Sequence, residues 1–243
     1  DGAGFAITAP IPGTGVGMQQ SGRTGVTVKN LTIRDFNYGL HLINSSSADT
    51  VEGVTFSGNS RSMFLETAAG SNTFTDLTMT DVGFYGIFDK GAGSNTFTRV
   101  SIDNSGSSGI GLYFQRSMEN VVVDCDIDGF TATAGLLVDG DSNPATPGNT
   151  ITGTTVSNSK NGIHFRNSSN SIVAGVSLLS NTDRSIFLDS SGVNTFTDIT
   201  ITGVGNYGVF DGGAGDNDFT RVSITNGGRR ASGSISTKVL ITM

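Results

Sequence analysis

Acidic residues on either side of an arginine, in equivalent positions of successive sequence repeats, could form a general acid–base site. Asp76, Arg99 and Asp124 have this arrangement, and Asp198 with Arg221 repeats it. If the repeats stack as strands, these side chains lie about 5 Å apart, which also suits a ladder of ion pairs. Because both halves of the chain carry the arrangement, we favour the ladder and keep Asp76, Arg99 and Asp124 as the catalytic candidates.

The two histidines, His41 and His164, could serve as bases or metal ligands. They occupy equivalent repeats five units apart, or about 24 Å if each repeat advances by one strand spacing. They therefore cannot share a metal ion or a catalytic triad. The sequence also has no Cys/His zinc spacing and no phosphate-binding loop.

A candidate metal site lies in the longest repeat, residues 120–148. Asp139, Asp141 and Asn143 alternate around a glycine turn, and oxygen ligands in this arrangement suit Ca²⁺. Asx-turns with solvated acids have the same residues, and the loop lacks a bidentate Glu. Calcium is therefore the one candidate cofactor, and we expect no other.

All of these residues lie in a sequence repeat that runs through most of the chain. Asn72–Met79 returns almost unchanged as Asn194–Ile201, and equivalent strand starts follow at intervals of 21 to 29 residues, mostly 23. Residues 72–104 and 194–226 agree at 24 of 33 positions, so a five-repeat module is duplicated. We expect one domain, 1–243, with these parts: an irregular first coil (1–25), a first module (26–148), a second, partial module (149–226) and a divergent tail (227–243).

Each repeat has alternating apolar residues after a corner Phe, followed by a short strand of the form Gly-Ile-x-Leu. Alternation predicts half-buried strands, and about 23 residues leave no room for a helix or a return hairpin. The sequence therefore predicts an all-β parallel solenoid of about nine to ten coils. The predicted core residues are Leu40, Met63, Ile87, Ile110, Leu136, Ile163, Ile186, Val209, Phe74, Phe97, Phe196 and Phe219.

An Asn opens most repeats and is predicted to form a column at one corner, where each side-chain amide bonds to the next. We interpret this column as structural rather than catalytic. Its members are Asn72, Asn95, Asn120, Asn149, Asn170, Asn194 and Asn217.

The x residue of each Gly-Ile-x-Leu strand should point outward, which is unusual for a row of aromatic residues. Three interpretations stay open: loops or a neighbouring β-helix cover the row, sugar rings stack on it, or the strand phase is reversed and the Phe residues are core. A reversed phase would spare Asp89 and Asp211 a costly inward position. The row reads His41, Phe64, Phe88, Gly111, Leu137, His164, Phe187 and Phe210; without Gly111 it is the candidate binding surface.

Composition limits the partners and the location. The net charge of −7 and pI near 4.6 leave no basic stripe for nucleic acid, and no apolar run reaches the length of a membrane span. High Thr, Asn and Gly with little Lys and one Cys favour an extracellular or cell-envelope protein. The start at Asp1, without Met, indicates a mature product or an excised fragment.

Asn30-Leu-Thr-Ile33, Tyr38-Gly-Leu-His-Leu42, Asn44-Ser-Ser-Ser47 and their copies resemble right-handed parallel β-helix repeats. Such repeats occur in the pectin-lyase-like superfold, and these are most similar to the NosD-like set associated with carbohydrate binding and sugar hydrolysis. The resemblance covers residues 20–226. Because the superfold includes polysaccharide lyases, hydrolases, epimerases, adhesins and surface-layer proteins, it implies the fold and leaves activity to the sites.

The enzyme signatures of the superfold are missing from this sequence. There is no Asp-Asp dipeptide or Gly-His-Gly of the hydrolases, and Tyr85-Gly-Ile-Phe-Asp89 begins like the epimerase motif but lacks its Pro-His-Asp. We therefore expect a non-catalytic surface module, fibrous or adhesive, that associates with itself or with neighbouring β-helix chains and contacts polysaccharide. The alternative is a polysaccharide lyase, hydrolase or uronan epimerase.

Overall fold

A computed structural model describes residues 1–104, 108–140, 146–213, 215–225 and 229–232. Within these ranges the regular elements are all strands, arranged as a parallel β-solenoid of about nine turns, which confirms the predicted fold class. The same ranges contain no helix that could cross a membrane.

Two sheets form the walls of the solenoid. Sheet A has seventeen mostly short strands: β1 (Ala6–Thr8), β3 (Thr27–Lys29), β4 (Thr32–Arg34), β6 (Thr50–Glu52), β7 (Thr55–Ser57), β9 (Thr73–Thr75), β10 (Thr78–Thr80), β12 (Thr96–Thr98), β13 (Ser101–Asp103), β15 (Val121–Val123), β16 (Asp126–Asp128), β18 (Thr150–Thr152), β19 (Thr155–Ser157), β21 (Ile172–Ala174), β22 (Ser177–Leu179), β24 (Thr195–Thr202) and β26 (Asp218–Thr225). Sheet B has ten strands: β2 (Thr14–Ser21), β5 (Phe36–Ile43), β8 (Arg61–Leu65), β11 (Tyr85–Lys90), β14 (Ile110–Gln115), β17 (Ala134–Asp139), β20 (Asn161–Arg166), β23 (Arg184–Asp189), β25 (Tyr207–Gly212) and β27 (Arg229–Ser232).

Each strand pairs in parallel with its equivalent one coil away, so that Thr27, Thr50, Thr73 and Thr96 are successive partners. Residues 1–25, expected to be irregular, contain β1 and β2, which pair with β4 and β5. In the divergent tail, β27 continues sheet B by pairing with β25.

A single residue of positive φ bends sheet A between its two short strands in each coil. Asp76, Arg99 and Asp124 occupy this bend with φ of 53°, 51° and 53°, and Gly53 occupies it with 61°. Gly, Asn and Asp tolerate this left-handed conformation best, whereas Arg adopts it rarely. The side chain of the residue at this bend points away from the core.

Apolar side chains from both sheets fill the interior. Phe74, Phe97, Phe196 and Phe219 are at most 1% exposed, as are most of the predicted aliphatic positions. Ile110 is the exception: it packs in a separate cluster outside the main core, and Leu112 fills the predicted core position. The prediction failed because the coil before β14 is longer, which moves the equivalent positions by two residues.

The Asn column exists. The predicted bond between side-chain amides joins Asn194 Nδ2 to Asn217 Oδ1 at 3.1 Å, but the other members are bonded differently. The main-chain N–H of Asn72 donates to Oδ1 of Asn95, and that of Asn95 donates to Oδ1 of Asn120, at 2.9 Å each. Ser171 rather than Asn170 holds the equivalent place, since its N–H donates to Asn194 Oδ1 and its hydroxyl accepts from Asn149. The column therefore caps buried backbone groups at the corner.

Candidate functional site

The Asp–Arg candidates form exposed ion pairs on the bend of sheet A. Arg99 Nε and Nη2 donate to both oxygens of Asp76 at 2.7 and 2.9 Å, and Arg221 bonds Asp198 in the same way. The hydrogen bonds from Arg99 hold the pKa of Asp76 below its usual range, while Asp124 acts on Arg99 only through its charge. The side chains of Arg99 and Asp76 are 55% and 48% exposed, so this arrangement is a solvated ladder and not a cleft.

Of the candidate calcium ligands, Asp139 is described, and Asp141 and Asn143 lie outside the described residues. Arg166 donates to both carboxylate oxygens of Asp139 at 2.9 and 2.6 Å. Among the described side chains, no group of three or more His, Cys, Asp or Glu is placed to hold a metal ion. The calcium site stays a prediction.

The outward row of sheet B, which we call the aromatic column, has one member that the sequence reading misassigned. Strand register pairs Phe88 with Tyr113 and Tyr113 with Leu137, so Tyr113 replaces the predicted Gly111. Gly86 lies opposite Gly111, because Tyr85 pairs with Ile110 and Ile87 with Leu112, and the coil before β14 is thus two residues longer than the alignment on Gly109 assumes. The column is His41, Phe64, Phe88, Tyr113, Leu137, His164, Phe187 and Phe210.

The strand phase is the outward one. Asp89 is fully buried on the inner side, next to the outward Phe88. Asn95 Nδ2 and the Ala92 N–H donate to its carboxylate at 3.0 Å each, and burial raises its pKa. Hydrogen bonds thus offset the cost of burying this acid, the cost that made the reversed phase attractive.

The rings of the aromatic column stack on one another along the solenoid. Phe64 lies 5.0 Å from Phe88, and Phe88 lies 4.8 Å from Tyr113, with interplanar angles of 15° and 7°. His164 stacks on Phe187 at 4.2 Å. Since stacked rings cover one another's faces, most of the column offers ring edges to solvent.

Two arginines flank the column at equivalent positions. The guanidinium carbon of Arg61 lies 5.0 Å from the ring centroid of Tyr38, and that of Arg184 lies 4.5 Å from the centroid of Phe187. Such contacts keep a cation against the aromatic row. Arg184 is also paired with Asp183, since its Nη1 donates to Asp183 Oδ2 at 2.7 Å.

The ring stack is interrupted at Leu137, and a cleft of about 390 Å³ opens there, which we call the central cleft. Tyr113 and His164 close the two stacks on either side of it, each with one face covered by its Phe neighbour. The lining residues are Tyr85, Ile110, Tyr113, Ala132, Thr133, Ala134, Leu137, Lys160, Asn161, His164 and Arg166.

Asp139 ties the polar wall of the central cleft together. It accepts the Tyr113 hydroxyl at 3.0 Å as well as the Arg166 guanidinium, which lowers its pKa. Burial raises the pKa of Tyr113 to about 12 and lowers that of His164 to about 4. At neutral pH the imidazole is therefore uncharged.

The sequence reading found His164 and Leu137 but missed Tyr113, Lys160, Asn161 and Arg166. The available signal was the glycine that precedes six of the eight outward residues by two positions. Aligning Gly111-Leu-Tyr113 on Gly86-Ile-Phe88 places Tyr113 in the row directly. Arg166 could not be found in this way because its role depends on Asp139, a residue 27 positions earlier.

This chain belongs to the right-handed β-helix family: residues 14–153 and 111–237 match the family described as a right handed beta helix region. Among solved structures, the catalytic unit of a thermostable GH87 α-1,3-glucanase from Streptomyces thermodiastaticus strain HF3-3 matches with a TM-score of 0.62 and 18% identity. That match covers 94% of this chain and 53% of the glucanase unit, so the chain spans about half of its length.

A periplasmic alginate epimerase, AlgG, matches with a TM-score of 0.45 and 13% identity over 90% of this chain and 73% of the epimerase. No curated protein matches the sequence. Together the family and the glucanase confirm the expected pectin-lyase-like β-helix fold. At these identities they show the fold alone.

Proposed function

We propose that this protein is a non-catalytic, adhesive β-helix module, outside the cell or in its envelope, that contacts a polysaccharide along the outer face of sheet B. The observation that carries the proposal is the aromatic column together with the central cleft that interrupts it. An apolar floor with convergent polar groups is the usual composition of a small-molecule site. Tyr and His rings combine an apolar body with a polar edge, as sugar contacts require.

The ionisation of the cleft residues favours binding over catalysis. General acid–base catalysis is most efficient when the pKa of the group lies near the working pH. His164, with a pKa of about 4, is a poor base at neutral pH, and Tyr113, with a pKa of about 12, is a poor acid or base there. Both oxygens of Asp139 are held by Arg166.

The polysaccharide lyase, hydrolase or epimerase is the second candidate. One observation supports it: Tyr113, Asp139, His164 and Arg166 converge at one cleft, as catalytic groups must. Turnover of a polysaccharide by the purified protein, lost in His164→Gln, would establish the enzyme and refute the non-catalytic proposal.

Self-association through the same face would produce a surface or fibrous assembly instead. Most rings of the column are buried or half-buried by one another, and Phe84 is the aromatic side chain near them that is more than half exposed, at 57%. The apolar area left for a second chain is therefore modest. This favours the glycan over a second copy as the occupant.

Affinity electrophoresis on gels containing alginate, polygalacturonate or α-1,3-glucan tests the proposal. The parent protein should be retarded by at least one polymer, and the double variant Phe88→Ser, Phe210→Ser should lose most of that retardation. Ile172→Ser, on the outer face of sheet A with 49% exposure, is the matched control and should behave as the parent.

Sedimentation of the same variants separates the alternatives. If Phe88→Ser, Phe210→Ser shifts an oligomer to monomer and gel retardation is absent, the face is an association surface. If the parent protein is retarded by none of the three polymers, glycan contact is refuted for these classes of sugar.

A further inference from the structure

Two buried polar atoms in the central cleft have no hydrogen-bond partner within the described part of the chain: Asn161 Oδ1 and His164 Nε2. Asn161 is 7% exposed, and its Nδ2 already donates to the Thr133 carbonyl at 3.2 Å. Buried acceptors without a partner in the protein are rare in folded proteins and bond an ordered water or a ligand. Asn161 Oδ1 requires a donor, and a sugar hydroxyl supplies one.

The central cleft also has a cationic side chain, that of Lys160. Lys160, the residue before Asn161, is exposed and lines the cleft, and no carboxylate of the described residues pairs with it. Arg166, on the other wall, is already neutralised by Asp139. On a chain of net charge −7, an unpaired Lys beside orphan polar atoms attracts an anionic group.

The apolar part of the cleft matches a ring. Tyr113 and His164 each stack on a Phe and turn their other face toward Leu137. They are two strands apart, or about 9.6 Å at about 4.8 Å per strand. Leu137 fills the space between the two rings and is 6% exposed. A pyranose ring above Leu137 would therefore contact the edges of both.

In the first module, the positions equivalent to His164 and Asn161 have partners within the protein. His41 is equivalent to His164, but its Nε2 is bonded to Glu66 Oε1 at 3.0 Å. Tyr38 stands in place of Asn161, and its ring stacks on His41 at 5.1 Å. The exchange of Tyr38 for Asn161 in the second module removes a ring and introduces the Oδ1 without a partner. The equivalent of Glu66 is Asp189, whose shorter side chain does not bond His164 Nε2.

We propose that the central cleft is a subsite for one carboxylate-bearing pyranose residue of a polysaccharide. The sugar ring lies over Leu137 against the edges of Tyr113 and His164, a hydroxyl donates to Asn161 Oδ1, and the carboxylate contacts Lys160. This inference rests on the proposed glycan contact and adds the class of sugar and the residues that select it.

Calorimetric titration with galacturonate oligosaccharides, and with galactose oligosaccharides of the same length, tests the subsite. Parent protein should bind the acidic series at least 10-fold more tightly than the neutral series. Lys160→Gln, a surface change that should leave the fold intact, should remove that preference, and Asn161→Ala should weaken binding of the acidic series by about 10-fold or more.

His41→Gln is the matched control for His164→Gln. Only the second should weaken binding, and only the His164 imidazole signals should shift in the NMR spectrum on addition of galacturonate oligosaccharide. Equal effects of the two histidine variants, or an acidic preference that survives Lys160→Gln, would overturn the subsite.

The two proposals fail separately. A parent protein that is retarded by a polymer gel but whose binding is unchanged in Lys160→Gln and Asn161→Ala keeps its glycan contact and loses the cleft as subsite. A parent protein that binds neither oligosaccharides nor any polymer loses both.

Discussion

Replacing Phe97 by Ala should be among the most destabilising single changes in this protein. The ring is completely buried, stacks on Phe74 at 4.9 Å and contacts Phe114 at 5.8 Å. Truncating a buried Phe to Ala costs about 3–5 kcal/mol of folding free energy, and the rigid aromatic neighbours in adjacent coils limit collapse of the structure into the cavity. We expect a loss of about 4–5 kcal/mol, which corresponds to about 8–20 °C in melting temperature for a chain of this size.

Guanidinium unfolding followed by circular dichroism measures this loss. Phe196→Ala, at the equivalent position of the second module, should cost about as much because its ring stacks on Phe219 at 4.5 Å. Phe84→Ala is the control, since Phe84 is 57% exposed, and it should cost less than about 1 kcal/mol. A Phe97→Ala value no larger than that of the control would refute the stacking of these coils around a common core.

Three further outcomes are expected. The pKa of His164 is about 4 in the folded chain and about 6.5 unfolded, so the unfolded state binds more protons between these values. Stability should therefore fall as pH drops from about 6.5 to 4, by less than about 3.4 kcal/mol, and His164→Phe should flatten this dependence in chemical unfolding. Arg99→Ala should leave the melting temperature nearly unchanged, since its pair with Asp76 is solvated; a large drop would contradict this. If Asp139, Asp141 and Asn143 bind calcium, Ca²⁺ should raise the melting temperature and Asp141→Ala should abolish the rise. If Ca²⁺ does not change the melting temperature of the parent protein, the loop is an Asx-turn and not a calcium site.

The sequence reading was strongest where spacing within one repeat decides the structure. Alternation around Phe74 and Phe97 predicted their burial, and the fixed interval predicted that each strand pairs in parallel with its equivalent in the next coil, as Thr50 does with Thr73. It failed where coils differ in length. The longer coil before β14 moved Tyr113 into the outward row and Ile110 out of the core.

The strand phase shows a second limit of pattern reading. The sequence alone made an inward Asp89 look too costly, because an unpaired buried carboxylate is expensive. In the fold, its turn folds back so that Asn95 and the Ala92 N–H donate to it. Local spacing could not supply this compensation, which depends on how the turn is arranged.

The sequence by itself determined the solenoid, because each coil repeats the same short-range pattern and can bury its apolar residues only against its neighbours. Only the tertiary structure decided the cleft. Tyr113, Asp139 and Arg166 come from three successive coils of unequal length, and stacking brings them into contact although 26 and 27 residues separate the bonded pairs. The opening itself lies where Leu137 interrupts the ring stack and where Ala134 and Asn161, small side chains in adjacent strands, replace the larger residues of other coils.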